Sequence, residues 1–148
     1  MTRLCVLAFF ILTTASARAA TLEGEITLKY DESTFSKSGF AKQFGDVVKA
    51  TTNWRVGDFF GKETIFAGII AKNTGSRPMF FQYYVAFFDK DKKLVGATGQ
   101  SSFGDEGLKP GEETNLGSCL VHLPKGRYKD IASFQAIIYE TDQPLRKK

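Results

Sequence analysis

The chain of 148 residues holds one histidine, His122, and two cysteines, Cys5 and Cys119. Chemistry that needs imidazole or thiolate therefore has few places to sit. A Ser-His-Asp arrangement would have to use His122, which stands two residues before Pro124, and no Gly-x-Ser-x-Gly elbow precedes it. Cys119 and His122 share the C-x-x-H spacing of a metal site. On a strand, however, side chains three positions apart project to opposite faces, and one ion reaches both only across a bulge. With Met79 added, the ligand set still falls short of a periplasmic copper carrier. Asp89 and Asp91 open like a calcium loop, but the sixth position, which needs glycine for a sharp turn, is Leu94, and the twelfth is Gln100 instead of a bidentate Glu. Lys90, Lys92 and Lys93 repel a cation there as well.

Paired carboxylates occur as Asp105-Glu106 and Glu112-Glu113, both beside glycines in predicted loops. Acid and base roles require an apolar pocket that keeps one carboxyl protonated, and neither pair has one evident in the sequence. The 14 glycines are scattered through turns, and none forms the G-x-x-x-x-G-K-[ST] cradle of a nucleotide phosphate. No catalytic, metal or cofactor site is expected. A hydrolase using Glu106 or Glu112 is the enzymatic alternative.

The segment that departs most from the ordinary is aromatic. Phe81, Tyr83, Val85 and Phe87 project to one face of a predicted strand, and Phe80, Gln82, Tyr84, Ala86 and Phe88 to the other. A half-buried strand is polar on its outer face, and this one is not. Either the second face is covered within the chain, by the segment carrying Phe40, Phe44 and Trp54, or it is exposed as an aromatic platform. Such a platform stacks on a sugar ring, a peptide or a second copy of the chain. Trp54, Phe80, Gln82 and Tyr84 are the candidate binding residues.

The elements that must position these residues read as β structure. Ile26, Leu28 and Tyr30 alternate with Thr27 and Lys29, as on a strand with one buried face. Phe40, Phe44, Val47 and Val48 recur at helical spacing, interrupted by Gly45, and predict one short helix near the N-terminus. From residue 51 onward, β-branched and aromatic runs predict strands over 53–59, 63–72, 79–89, 94–101, 113–122 and 133–141. Turns with a mechanism separate them: Gly75 to Pro78, the charged tip Asp89 to Lys93, and Lys109-Pro110-Gly111-Glu112. The fold expected is all-β, a single immunoglobulin-like antiparallel β-sandwich of about seven strands.

Arg3, the apolar run from Leu4 to Leu12 and small residues ending in Ala17-Arg18-Ala19 read as a secretory signal peptide over residues 1–19, cut before Ala20. The run is too short to span a bilayer. Cys5 leaves with the leader, so Cys119 has no intramolecular partner and is expected to be a buried structural thiol in an apolar strand. The β-sandwich is expected over 20–143 and a short basic tail over 144–148. Removing Arg3 and Arg18 from the 20 basic residues leaves 18 against 16 acidic ones, a margin of +2, which argues against a broad basic face for nucleic acid.

The stretch from Ile65 to Tyr139 resembles the small exported β-sandwich domain known as the FxLYD family. The shared features are Lys72-Asn73-Thr74 at the end of an early strand, Val85-Ala86-Phe87-Phe88-Asp89, a hairpin into Leu94-Val95-Gly96, and Leu108-Lys109-Pro110-Gly111-Glu112. Of the pattern that names the family, Asp89 is identical, while Val85, Phe87 and Phe88 stand where Phe, Leu and Tyr are expected. The resemblance implies that Phe87 and Phe88 occupy a core strand, that Asp89 opens the hairpin, and that the Pro-Gly-Glu turn crosses between sheets. It implies no catalytic residues. The expected protein is a periplasmic or secreted, non-enzymatic binding module whose partner is a protein or glycan of the cell envelope, with no stable membrane insertion after cleavage. Self-association as a structural envelope protein is the other alternative.

Overall fold

A computed structural model describes residues 17–30, 40–101 and 106–145. The body of the expected leader, the Asp31 to Ser38 connection, Asp105 and the tail end Arg146 to Lys148 lie outside the described residues, as do the side chains of Phe40, Phe44 and Cys119. The described chain forms eight strands: β1 (Ala17–Glu25), β2 (Phe40–Phe44), β3 (Val48–Phe59), β4 (Lys62–Asn73), β5 (Phe80–Asp89), β6 (Leu94–Ser101), β7 (Glu113–His122) and β8 (Ile131–Thr141). They pair antiparallel in two four-stranded sheets, ordered β1-β8-β5-β6 and β2-β3-β4-β7. The chain changes sheet between β1 and β2, between β4 and β5, between β6 and β7, and again before β8. The resulting partners, β4 with β7 and β5 with β8, interlock as in the Greek-key connections of immunoglobulin-like sandwiches.

Period-two alternation sends one face of each central strand into the space between the sheets. From one sheet come Val48, Ala50, Thr52, Trp54 and Val56 on β3 and Ile65, Ala67, Ile69 and Ala71 on β4. From the other come Phe81, Tyr83, Val85 and Phe87 on β5 and Phe134, Ala136 and Ile138 on β8. The Trp54 ring packs on Phe134 at 4.3 Å between centroids and meets Phe87 edge-on at 5.9 Å. Its Nε1–H donates to Tyr83 Oη at 3.0 Å, and that hydroxyl also lies 2.6 Å from Thr52 Oγ1. A buried phenol thus finds partners across the sandwich, which satisfies the polar end of an otherwise apolar side chain.

Three expectations about elements change. The residues from Phe40 to Val48 form β2, a turn and the start of β3 instead of a helix. Gly45 takes φ 106° at that turn, and Phe44 pairs with Ala50. The stretch from Ile26 to Tyr30 makes no extended ladder: Ile26 and Leu28 are buried as their alternation requires, but the segment contributes a single bridge, Tyr30 to Val56. The strand of this region lies earlier, as β1 along β8, and it takes in Ala17 to Ala19 of the expected leader. Among the described residues, the sole helical piece is a one-turn 3-10 segment, Arg127–Asp130.

Candidate functional site

The register of the β1-β8-β5-β6 sheet fixes what stands on its outer face. Tyr84 on β5 lies between Ile137 on β8 and Gly99 on β6; Gln82 lies between Tyr139 and Ser101; Ala86 lies between Gln135 and Ala97. This three-strand strip is uncharged and spans roughly 10 Å at the usual strand spacing. The nearest charge in the same rows is Glu23 on β1, opposite Gln135. Tyr84 is 49% exposed and Tyr139 37% exposed, while Ile137 and Gln82 are half-buried between them. Gly99 shapes the surface, because a Cβ there would stand 2.4 Å from Cδ1 of Tyr84. One edge of the Tyr84 ring therefore lies against the β6 backbone at Gly99.

Of the four candidate binding residues, Gln82 and Tyr84 are on this strip. Trp54 is not: it is 1% exposed at the centre of the core, on the inward face of the opposite sheet. The β2–β3 segment consequently does not cover the outer face of β5. Phe80 is not available either, being 5% exposed. It is covered by the segment around Gly107, where a Cβ would stand 3.1 Å from the Phe80 ring, beside the paired bridge of Met79 and Leu108. The second face of the aromatic strand is thus closed at its Phe80 end and open from Gln82 onward. Tyr139 and Ile137 were missed because Ser133 to Thr141 reads as one more alternating strand; only the pairing of β8 with β5 sets them beside Tyr84.

The positions weighed for chemistry have other occupations. His122 Nδ1 lies 2.9 Å from Thr64 Oγ1, and its ring stacks on Phe59 with centroids 6.1 Å apart. Asp89 Oδ1 accepts from the main-chain N–H groups of Asp91 and Lys93, both at 2.9 Å, which closes the hairpin tip. Glu112 Oε2 accepts from the Lys109 N–H at 2.7 Å across the Pro110-Gly111 turn, and Glu106 pairs with Lys109 Nζ at 3.3 Å. Among the described residues no three His, Cys, Asp or Glu side chains gather where they could hold a metal ion, and no helix is long and apolar enough to cross a membrane.

Fold and face together define an antiparallel β-sandwich whose one outer sheet carries an uncharged, tyrosine-bearing strip. No family model and no curated protein matches the sequence. Among solved structures, the chain is similar to one described as the structure of infectious bursal disease virus Gx strain, with 14% identity over 88% of this chain and a TM-score of 0.39. This chain spans 28% of the length of that one.

Proposed function

We propose that this protein is an exported, non-enzymatic binding module that presents the strip of Gln82, Tyr84, Ile137 and Tyr139 to a glycan of the cell envelope. The observation that carries the reading is the pairing of two half-exposed tyrosines with glutamine amides on a three-strand strip free of charge. Tyrosine rings stack on the apolar faces of sugars, and side-chain amides bond their hydroxyls. Tyr84 is held against Gly99, which lowers the ordering cost of binding. The likeness to FxLYD-type domains belongs to this reading. It is supported by the interior place of β5 in its sheet, by Asp89 closing the β5–β6 hairpin, and by the Gly111 N–H, which donates to Asn73 O across the Pro110-Gly111 turn.

Export is part of the same proposal. Cleavage before Ala20 leaves Ala20 to Glu25 of β1 paired with Ser133 to Ile138, so the sandwich keeps all eight strands.

The test is titration of the purified protein with neutral oligosaccharides, followed by tyrosine difference absorbance; Trp54 is buried and reports the fold instead of the site. Tyr84→Ala and Tyr139→Ala each weaken binding by about 10-fold, for a stacking contact of the order of 1 kcal/mol or more, without altering the unfolding curve. Unchanged affinity in both variants would remove the strip from the reading. A self-association reading draws on β1, an edge strand with almost every side chain exposed. Sedimentation that depends on protein concentration without any ligand would select it.

A further inference from the structure

A second surface stands at the end of the sandwich where β3 turns into β4. Phe59 pairs with Lys62, so Phe60 and Gly61 are the two turn residues, with φ 51° and 73°. Positive φ at both places is the turn that selects Asn-Gly or Asp-Gly. Phenylalanine is a poor choice for the first place, since a bulky side chain in the left-handed region is an outlier. Phe60 is nonetheless there, and it is 91% exposed. Behind it the rings of Phe59 and Phe66 form a column, with centroids 4.6 Å apart for Phe60 and Phe59 and 6.0 Å for Phe59 and Phe66. Neither packing nor turn chemistry accounts for an apolar side chain held out into water at the tip.

Basic side chains surround that tip. Gly61 and Lys62 share a groove with Lys125 and Lys129, and Lys129 shares the next one with Lys90 and Lys92. The carboxylates of the same end are held in place by main-chain hydrogen bonds and keep their charge. Asp58 accepts from the Gly61 N–H, Glu63 from those of Gly126 and Tyr128, and Asp89 from those of Asp91 and Lys93. Asp130 pairs with Arg127 at 2.9 Å, and with Asp91 and Glu25 these are six carboxylates against the seven basic side chains Lys62, Lys90, Lys92, Lys93, Lys125, Arg127 and Lys129, a margin of one positive charge. Among the described residues, Lys62, Lys90, Lys93 and Lys125 stand in no ion pair.

We infer that this end docks on a bilayer surface rich in anionic phospholipid, with Phe60 entering the headgroup boundary and Lys62, Lys125, Lys129, Lys90 and Lys92 meeting the phosphates. An apolar tip ringed by lysines fits such a surface because a bilayer offers both a negative potential and an apolar layer just beneath it. A soluble polyanion offers the charge alone and nothing for Phe60. Docked in this way, the protein stands on its hairpin end with the Tyr84 strip turned sideways, and the inference does not depend on what that strip binds.

The experiment is co-sedimentation of the purified protein with vesicles of phosphatidylglycerol and phosphatidylcholine, against phosphatidylcholine alone. Binding is expected to require phosphatidylglycerol and to disappear at about 0.5 M salt, where screening shortens to a few ångströms. Phe60→Asn is expected to lose about 10-fold in vesicle affinity while unfolding at the same or a higher temperature, because asparagine suits the turn. Lys62→Glu with Lys125→Glu is expected to weaken binding comparably, and Tyr84→Ala to leave it unchanged. Absence of phosphatidylglycerol-dependent binding at low salt overturns the inference. So does full vesicle binding by Phe60→Asn.

Discussion

Glu140 carries more of the architecture than its place in the sequence announces. It lies on β8 with its side chain fully buried, and its two carboxylate oxygens accept from the main-chain N–H groups of Asp46, Val47 and Val48 at 2.6–3.1 Å. Those three donors belong to the turn between β2 and β3, so one side chain of one sheet organises the turn that opens the other. Charge-assisted bonds of this kind are roughly twice as strong as neutral ones, and donors stranded in the interior cost about 1–3 kcal/mol each. Glu140→Ala is therefore expected to destabilise the fold by about 3–5 kcal/mol. Glu140→Gln, which keeps the shape but turns an amide N–H₂ toward donors, is expected to lose less than Glu140→Ala. Urea unfolding of both variants checks the order; equal midpoints for wild type and Glu140→Ala would mean the turn is held by something else.

At the scale of elements, β5 and β6 show how a surface is made from a strand pair. Tyr84 has its conformation because β6 presents Gly99 opposite it, and the adjacent rows hold the small residues Ala97 and Ser101. Cross-strand side-chain pairs set the stability and shape of a sheet face, and here the absent side chain is the shaping one. Gly99→Val places branched atoms where the ring lies. A Cβ there also stands 2.9 Å from the Tyr83 carbonyl oxygen, so β6, an edge strand, must shift, and the fold is expected to survive with a loss of about 1–3 kcal/mol. The Tyr84 ring is expected to swing out, with a change in its NMR ring-proton shifts and a loss of oligosaccharide binding matching that of Tyr84→Ala. Binding at wild-type strength in Gly99→Val would show that the ring's place against Gly99 is not needed.

For the molecule as a whole, the junction between the expected leader and the sandwich is the point of interest. β1 runs along β8 from Ala17, but Ala17, Arg18 and Ala19 are all exposed, and the half-buried side chains of the strand are Ala20 and Leu22. Removing the three exposed residues takes away ladder bonds at the end of an edge strand and almost no buried surface. If the proposed export holds, the mature protein is expected to begin at Ala20 by intact mass and to unfold within about 1 kcal/mol of a chain that retains Ala17 to Ala19. A much larger difference would identify the overlap as part of the fold and place the cleavage point earlier.

What the sequence determined by itself is the class of fold and the two faces of the aromatic strand. Period-two alternation is written within a strand, so Phe81, Tyr83, Val85 and Phe87 declare a common face before any partner is known. The turns at Gly75 to Pro78, Asp89 to Lys93 and Pro110-Gly111 are equally local, since they follow from fixed φ, missing N–H groups and short acceptor side chains. The helix expected after Phe40 failed because a five-residue strand separated from β3 by a glycine turn leaves apolar spacings that mimic one helical turn. Only the tertiary structure decided that Trp54 is core, that Phe80 is roofed by the Gly107 segment while Tyr84 is open, and that Tyr139 stands beside Gln82. Each of these depends on which strand lies next to which, and the Glu140 carboxylate reaches donors as many as 94 positions away. Coverage of a face is a property of the partner strand, so no pattern within β5 could have stated it.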